Sequence, residues 1–77
     1  MLIRDKTGGP LLQAELESLS GSPPMLVADN GRKSFEIDSK NAAQYYRLIS
    51  ATKSEVALLQ RAGFVLECSD EFEPRDG

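Results

Sequence analysis

The sequence predicts a small α+β domain: an antiparallel β-hairpin, extended by a C-terminal strand and packed against two or three short helices. Three observations carry this prediction. Alternating apolar runs flank Asn30-Gly31, a pair of residues that suits the tight loop of a hairpin. Thr52-Lys53-Ser54-Glu55 has the S/T-x-x-E form of a capping box, which starts a helix. Gly63 then precedes Phe64-Val65-Leu66, so a helix stop leads into strand chemistry. A chain of 77 residues, 40% of them hydrophobic, supports a single core.

In chain order, Leu2, Ile3 and Arg4 read as a short strand, and Thr7-Gly8-Gly9-Pro10 as a turn. Over residues 10–19, Leu12, Leu16 and Leu19 recur at helical spacing and Pro10 suits a first helical turn, so a third helix is expected. The alternation Ala14-Glu15-Leu16-Glu17 leaves an edge strand open for the same segment. Ser20-Gly21-Ser22-Pro23-Pro24 is a loop. The hairpin runs Met25–Asp29, Asn30-Gly31, then residues 32–37. A two-residue type I′ loop sets Asp29 opposite Arg32 and Leu26 opposite Phe35. Leu26, Ala28, Phe35 and Ile37 then share a core face. Met25, Val27, Asp29, Arg32, Ser34 and Glu36 share the outer one.

Asp38 or Ser39 can cap a helix over residues 40–49, with Ala42, Tyr45, Tyr46 and Ile49 as its apolar stripe. Thr52 and Glu55 open a second helix that runs from Lys53 to Arg61 or Ala62, which Gly63 ends. Residues 64–68 read as a strand that needs a partner in the sheet.

The charge is unevenly placed. The chain holds 12 Asp+Glu against 9 Lys+Arg, a net −3. Glu67, Asp70, Glu71, Glu73 and Asp76 crowd the C-terminal end against Arg75 alone, and the rest is close to neutral. Residues 1–68 are therefore expected to form the domain, and residues 69–77 an acidic, flexible tail. Within it Phe72 offers an apolar anchor, and Glu71 and Glu73 offer steering toward a basic surface.

Composition narrows the chemistry. There is no histidine and Cys68 is the only cysteine, which removes internal disulfides, histidine or multi-cysteine metal sites, and Ser-His-Asp or Cys-His catalysis. No EF-hand or phosphate-loop spacing is present. The expectation is a non-enzyme with no catalytic residues, no cofactor and no metal site. No apolar run approaches the roughly 18 residues of a membrane span, and Met-Leu-Ile-Arg-Asp-Lys lacks a signal-peptide core. A cytoplasmic protein without membrane contact is expected, as monomer or homodimer.

The leading functional expectation is a protein-interaction module of inhibitor, immunity or adaptor type, bacterial or phage-like. Its candidate partner-binding residues are Phe72, Glu71, Glu73, Tyr45, Met25 and Val27. Tyr45 and Tyr46 are adjacent, so on a helix only one of them faces the core centre. Met25 and Val27 leave the outer hairpin face half apolar. The second expectation is nucleic-acid binding through Arg32, Lys33, Arg47 and Lys53. It stands second because the body lacks the strong basic excess of such domains.

Residues 27–49 also carry an apolar strand, Asn30-Gly31-Arg32, a second strand ending in Ile37, and a segment with Tyr45, Tyr46 and Leu48. This stretch, under a third of the chain, resembles the hairpin-and-helix part of Phd/YefM-type antitoxins. The resemblance implies operator binding and a toxin-neutralising tail. The capped helix and strand that follow depart from that pattern.

Overall fold

A computed structural model describes residues 1–75 of the chain; Asp76, the last acid of the expected tail, lies outside the described residues. Six strands and two helices follow in the order β1 (Leu2–Asp5), β2 (Leu12–Glu17), β3 (Met25–Asp29), β4 (Ser34–Ile37), α1 (Ser39–Tyr45), β5 (Tyr46–Thr52), α2 (Lys53–Arg61) and β6 (Glu67–Arg75). All strands join one sheet in the order β4-β3-β2-β1-β5-β6. Neighbours are antiparallel except β5 and β6, which run parallel and are connected through α2. This is a small α+β domain with a mixed sheet larger than the sequence predicts.

Both helices pack on one side. Ala42 of α1 and Leu59 of α2 join Ile3, Leu12, Ala14, Leu26, Ala28, Ile37, Leu48 and Phe64 in a single buried cluster. The alternation of strand side chains turns the opposite set of residues outward. Among the described residues, no helix covers the second face of the sheet.

The start and stop of α2 follow the sequence closely. Thr52 Oγ1 accepts from the Glu55 N–H at 3.0 Å, and Glu55 Oε1 accepts from the Thr52 N–H at 2.8 Å. Gly63 has φ +83°, a left-handed conformation that glycine enters without strain. The Gly63 N–H donates to the Gln60 carbonyl at 3.1 Å and the Phe64 N–H to the Leu59 carbonyl at 2.8 Å. That pair of bonds is a Schellman motif, and the buried Leu59 and Phe64 supply its apolar contact. Glu55 also reaches beyond its helix. Its Oε2 accepts from the Met1 ammonium at 2.9 Å, and that ammonium donates in addition to the Ala14 carbonyl at 3.0 Å.

Four sequence expectations change. First, residues 10–19 are not a helix: Leu12–Glu17 is strand β2, with Leu12 and Ala14 buried and Gln13, Glu15 and Glu17 exposed. Leu19, the third residue of the expected helical stripe, is 69% exposed. Strands β1 and β3 offer backbone partners on both sides, and those ladders outweigh helix propensity, which is a weak preference.

Second, the hairpin keeps its place but slips by two residues. Leu26 pairs with Ile37, Val27 with Glu36, Ala28 with Phe35 and Asp29 with Ser34. The connection is the four-residue loop 30–33, not a type I′ turn, since Gly31 has φ +94° and no other residue type has positive φ among the described residues. Asp29 Oδ1 accepts from the Gly31 N–H at 2.6 Å, and Asn30 Oδ1 from the N–H groups of Arg32 and Lys33 at 2.9 and 3.1 Å. These side-chain caps favour the longer loop. A slip of two leaves every strand residue on its expected face.

Third, the helix capped by Asp38, whose Oδ1 accepts from the Asn41 N–H at 2.7 Å, ends at Tyr45. Residues 46–49 belong to β5 instead. β5 lies between β1 and β6, with Leu48, Ile49, Ser50 and Ala51 all buried. The antitoxin-like stretch therefore stops after the hairpin and a two-turn helix. Fourth, residues 64–66 are not strand, and residues 67–75, largely the expected tail, form β6 along the free edge of β5.

Two outcomes follow for stability. Truncating Phe64, 1% exposed, to alanine costs about 3–5 kcal/mol, enough to unfold a domain of this size whose total is about 5 kcal/mol; loss of the cooperative urea transition checks this. Burial acts to raise the Glu55 pKa, but the Thr52 N–H and the Met1 ammonium outweigh it and hold the carboxyl below its ordinary value. A depressed carboxylate stabilises the fold above its unfolded pKa and loses that contribution as pH falls through the folded one. Glu55→Gln is thus destabilising near pH 7, and its urea midpoint converges on that of the parent chain as pH falls below about 4.

Candidate functional site

Neither helix covers the open face of the sheet, and its charge is organised by strand. On β2, β3 and β4 the outward residues are Gln13, Glu15 and Glu17, then Met25, Val27 and Asp29, then Ser34 and Glu36. Val27 lies directly between Glu15 of β2 and Glu36 of β4, and Met25 beside Glu17. No base occupies an outward position on these three strands. Both apolar side chains are partly exposed, ringed by carboxylates. A cleft of about 210 Å³ beside them is lined by Glu17, Leu19, Ser22, Pro23, Met25 and Glu36.

The other half of the face is built around two arginines. Arg4 of β1 and Arg47 of β5 stand directly opposite each other, a like-charge pair that repels unless neutralised. Strand β6 neutralises it. Arg47 Nε is 3.8 Å from Glu67 Oε2, and Arg4 Nη1 donates to Glu71 Oε1 at 2.8 Å. Glu71 spans β5 to reach β1 because β6 bulges. Its pairing jumps from Leu48–Cys68 to Ser50–Glu73, which leaves residues 69–72 looped out. A second bulge puts Ile49 between Leu48, opposite Ile3, and Ser50, opposite Leu2. Ile49 is buried but lies outside the core cluster, next to Arg4, Arg47 and Glu71. Ser50 Oγ donates to the Glu73 carbonyl at 3.1 Å.

The candidate residues therefore separate. Met25, Val27, Glu71 and Glu73 belong to the open-face side of the sheet. Phe72 instead packs against the core cluster, so it anchors β6 to its own domain. Tyr45, 49% exposed, closes α1 on the helix side. The four basic candidates do not converge. Arg32 and Lys33 sit in the hairpin loop, Lys53 starts α2, and Arg47 lies four strand positions from β4, roughly 19 Å at about 4.8 Å per strand.

Glu15, Glu17, Asp29 and Glu36 form the acidic ring that the sequence reading did not select. The alternation of residues 14–17 held the signal for the first two, since a strand there puts Glu15 and Glu17 on the outer hairpin face. Among the described residues no group of three or more Cys, Asp or Glu converges as a metal site, and no helix is long and apolar enough to cross a membrane. In comparisons with known proteins the chain matches no family model, no curated protein and no solved structure.

The neutralised arginine pair has a measurable consequence. Converting both Glu67 and Glu71 to glutamine leaves Arg4 facing Arg47 unpaired. Exposed ion pairs contribute about 0.2–1 kcal/mol each, so the double variant loses about 1 kcal/mol at low salt, and half-molar sodium chloride shrinks the difference.

Proposed function

We propose that this domain is a small, non-catalytic protein-interaction module of the inhibitor, immunity or adaptor kind, and that it docks a basic protein surface on its open sheet face. One observation carries the reading. Met25 and Val27 lie partly exposed inside a ring of Glu15, Glu17, Asp29 and Glu36, with no base at any outward position of the three strands. A sheet covered by helices on one side leaves the other to water or to a partner. An apolar centre inside a charged rim is the usual anatomy of a docking patch. The carboxylates favour partners with Lys and Arg at their surface and speed the encounter.

The pairing of Arg4 with Glu71 and of Arg47 with Glu67 adds support, because the bases nearest this face are already taken up by the chain's own acids. A nucleic-acid ligand would meet carboxylates across most of the face, so the regulator or antitoxin reading gains nothing from this arrangement.

Charge reversal tests the proposal. The partner retained by the immobilised chain from a lysate of its source is expected to dissociate with rising salt. The double variant Glu15→Lys/Glu17→Lys, chosen at exposed positions so that the fold survives, should weaken its binding at least about tenfold, as like charges across an interface cost more than about 1 kcal/mol. Retention of that partner at unchanged affinity, or crosslinks that map to α2 in place of β2–β4, rejects the assignment of this face.

A further inference from the structure

On the opposite, helix side of the sheet, the last turn of α1 and strand β4 border a groove of about 390 Å³. Three rings line it, those of Phe35, Tyr45 and Tyr46, together with Ile37, Asn41 and the carboxylate of Asp5. Glu36 borders it as well, and no Lys or Arg does. Phe35 and Tyr46 are partly buried against the core cluster, whereas Tyr45 is half exposed. The groove thus has aromatic walls held by packing and one wall open to solvent.

The charge in the groove is fixed in place. Asp5 Oδ1 accepts from the Thr7 hydroxyl at 2.5 Å and from the Thr7 N–H at 2.8 Å, and these two bonds hold its carboxyl below the usual range. Asp5 stands opposite Tyr46 in the β1–β5 register. Burial, and then the Asp5 charge, push the Tyr46 phenol up, so its ring stays neutral at physiological pH. Of the bases that flank Asp5 and Tyr46 in sequence, Lys6 donates through Nζ to the Ala43 carbonyl at 2.9 Å, Arg4 donates to Glu71, and Arg47 lies 3.8 Å from Glu67; none of the three lines the groove. Aromatic faces carry negative potential and attract cations, and a carboxylate beside them adds to that attraction. A planar guanidinium satisfies both at once, by stacking on a ring and forking onto a carboxylate.

We infer that the groove walled by Phe35, Tyr45, Tyr46 and Asp5 is a binding site for an arginine side chain presented by a polypeptide. The site lies on the other side of the sheet from the acidic open face and shares with it only Glu36, on the edge strand β4, so either can stand without the other.

The chain has two tyrosines and no tryptophan, so its tyrosine emission reports on this groove alone. The probes are Nα-acetyl-arginine amide, its uncharged isostere Nα-acetyl-citrulline amide, and tetramethylammonium. The arginine derivative is expected to change the emission saturably and to shift amide resonances at residues 5, 35 and 45–46. The citrulline derivative should bind at least about fivefold more weakly, the span of a single cation–π contact. Tyr45→Leu, at a half-exposed position where the fold does not depend on the ring, should weaken arginine binding by a similar factor. Asp5→Asn should do the same, with amide spectra confirming that the turn survives. Equal responses to arginine and citrulline overturn the inference. So do shifts confined to Glu15, Glu17 and Val27, a stronger response to tetramethylammonium than to arginine, or Tyr45→Leu binding at parent affinity.

Discussion

The carboxylate of Glu55 stands where three parts of the chain meet. One oxygen closes the capping box on Thr52 and the other holds the Met1 ammonium, which is bonded in turn to the Ala14 carbonyl of β2. The start of α2, the approach to β1 and the middle of β2 are thereby tied at one point. The consequence is architectural. α2 leaves β5 without a loop between them, so its axis is set by the last residue of that strand. The helix then lies on the side of the sheet where Leu59 and Phe64 enter the core. The same departure carries the chain back to run parallel to β5, and so β6 forms.

From this one-sided packing comes the surface character of the domain. With both helices on one side, the outward residues of six strands are left together, and most of the charged ones are acidic. The two arginines among them would repel each other across the β1–β5 pair if β6 did not bring Glu67 and Glu71 over them. The acidic segment is therefore part of the sheet's own electrostatics. It is also part of its core, since Phe72 packs inward while Glu71 turns outward. The aromatic groove on the helix side has a different origin: α1 ends after two turns, and its last residue, Tyr45, is left beside Phe35 and Tyr46.

Some of this was legible in the residues. Thr52, Glu55 and Gly63 carry local signals whose partners lie within a few positions, and α2 forms as they predict. Asn30-Gly31 marks the hairpin, although Asp29 and Asn30 cap a longer loop than the dipeptide alone implies. The division of Leu26, Ala28, Phe35 and Ile37 from Met25 and Val27 survives, because a two-residue slip cannot exchange the faces of a strand. By contrast, Leu12, Leu16 and Leu19 fit a helix as well as a strand on local grounds. Tyr46-Arg47-Leu48-Ile49 continues a helical stripe with no glycine or proline to stop it. In both places the deciding partners are other strands far away in sequence.

What the sequence determined by itself is therefore the set of local features: the helix caps, the glycine stop, the hairpin and the inner and outer face of each of its strands. Each rests on hydrogen bonds and steric limits between near neighbours, which are the same in any fold. Only the tertiary structure decided that residues 12–17, 46–52 and 67–75 are strands. A strand's backbone groups are satisfied by a partner elsewhere in the chain, and the same apolar spacing can serve a helix until that partner is in place. The two candidate surfaces belong to this second category. Glu15, Val27 and Glu36 come from three strands, and Asp5, Phe35 and Tyr45 from three distant segments, so both surfaces exist only once the sheet has assembled.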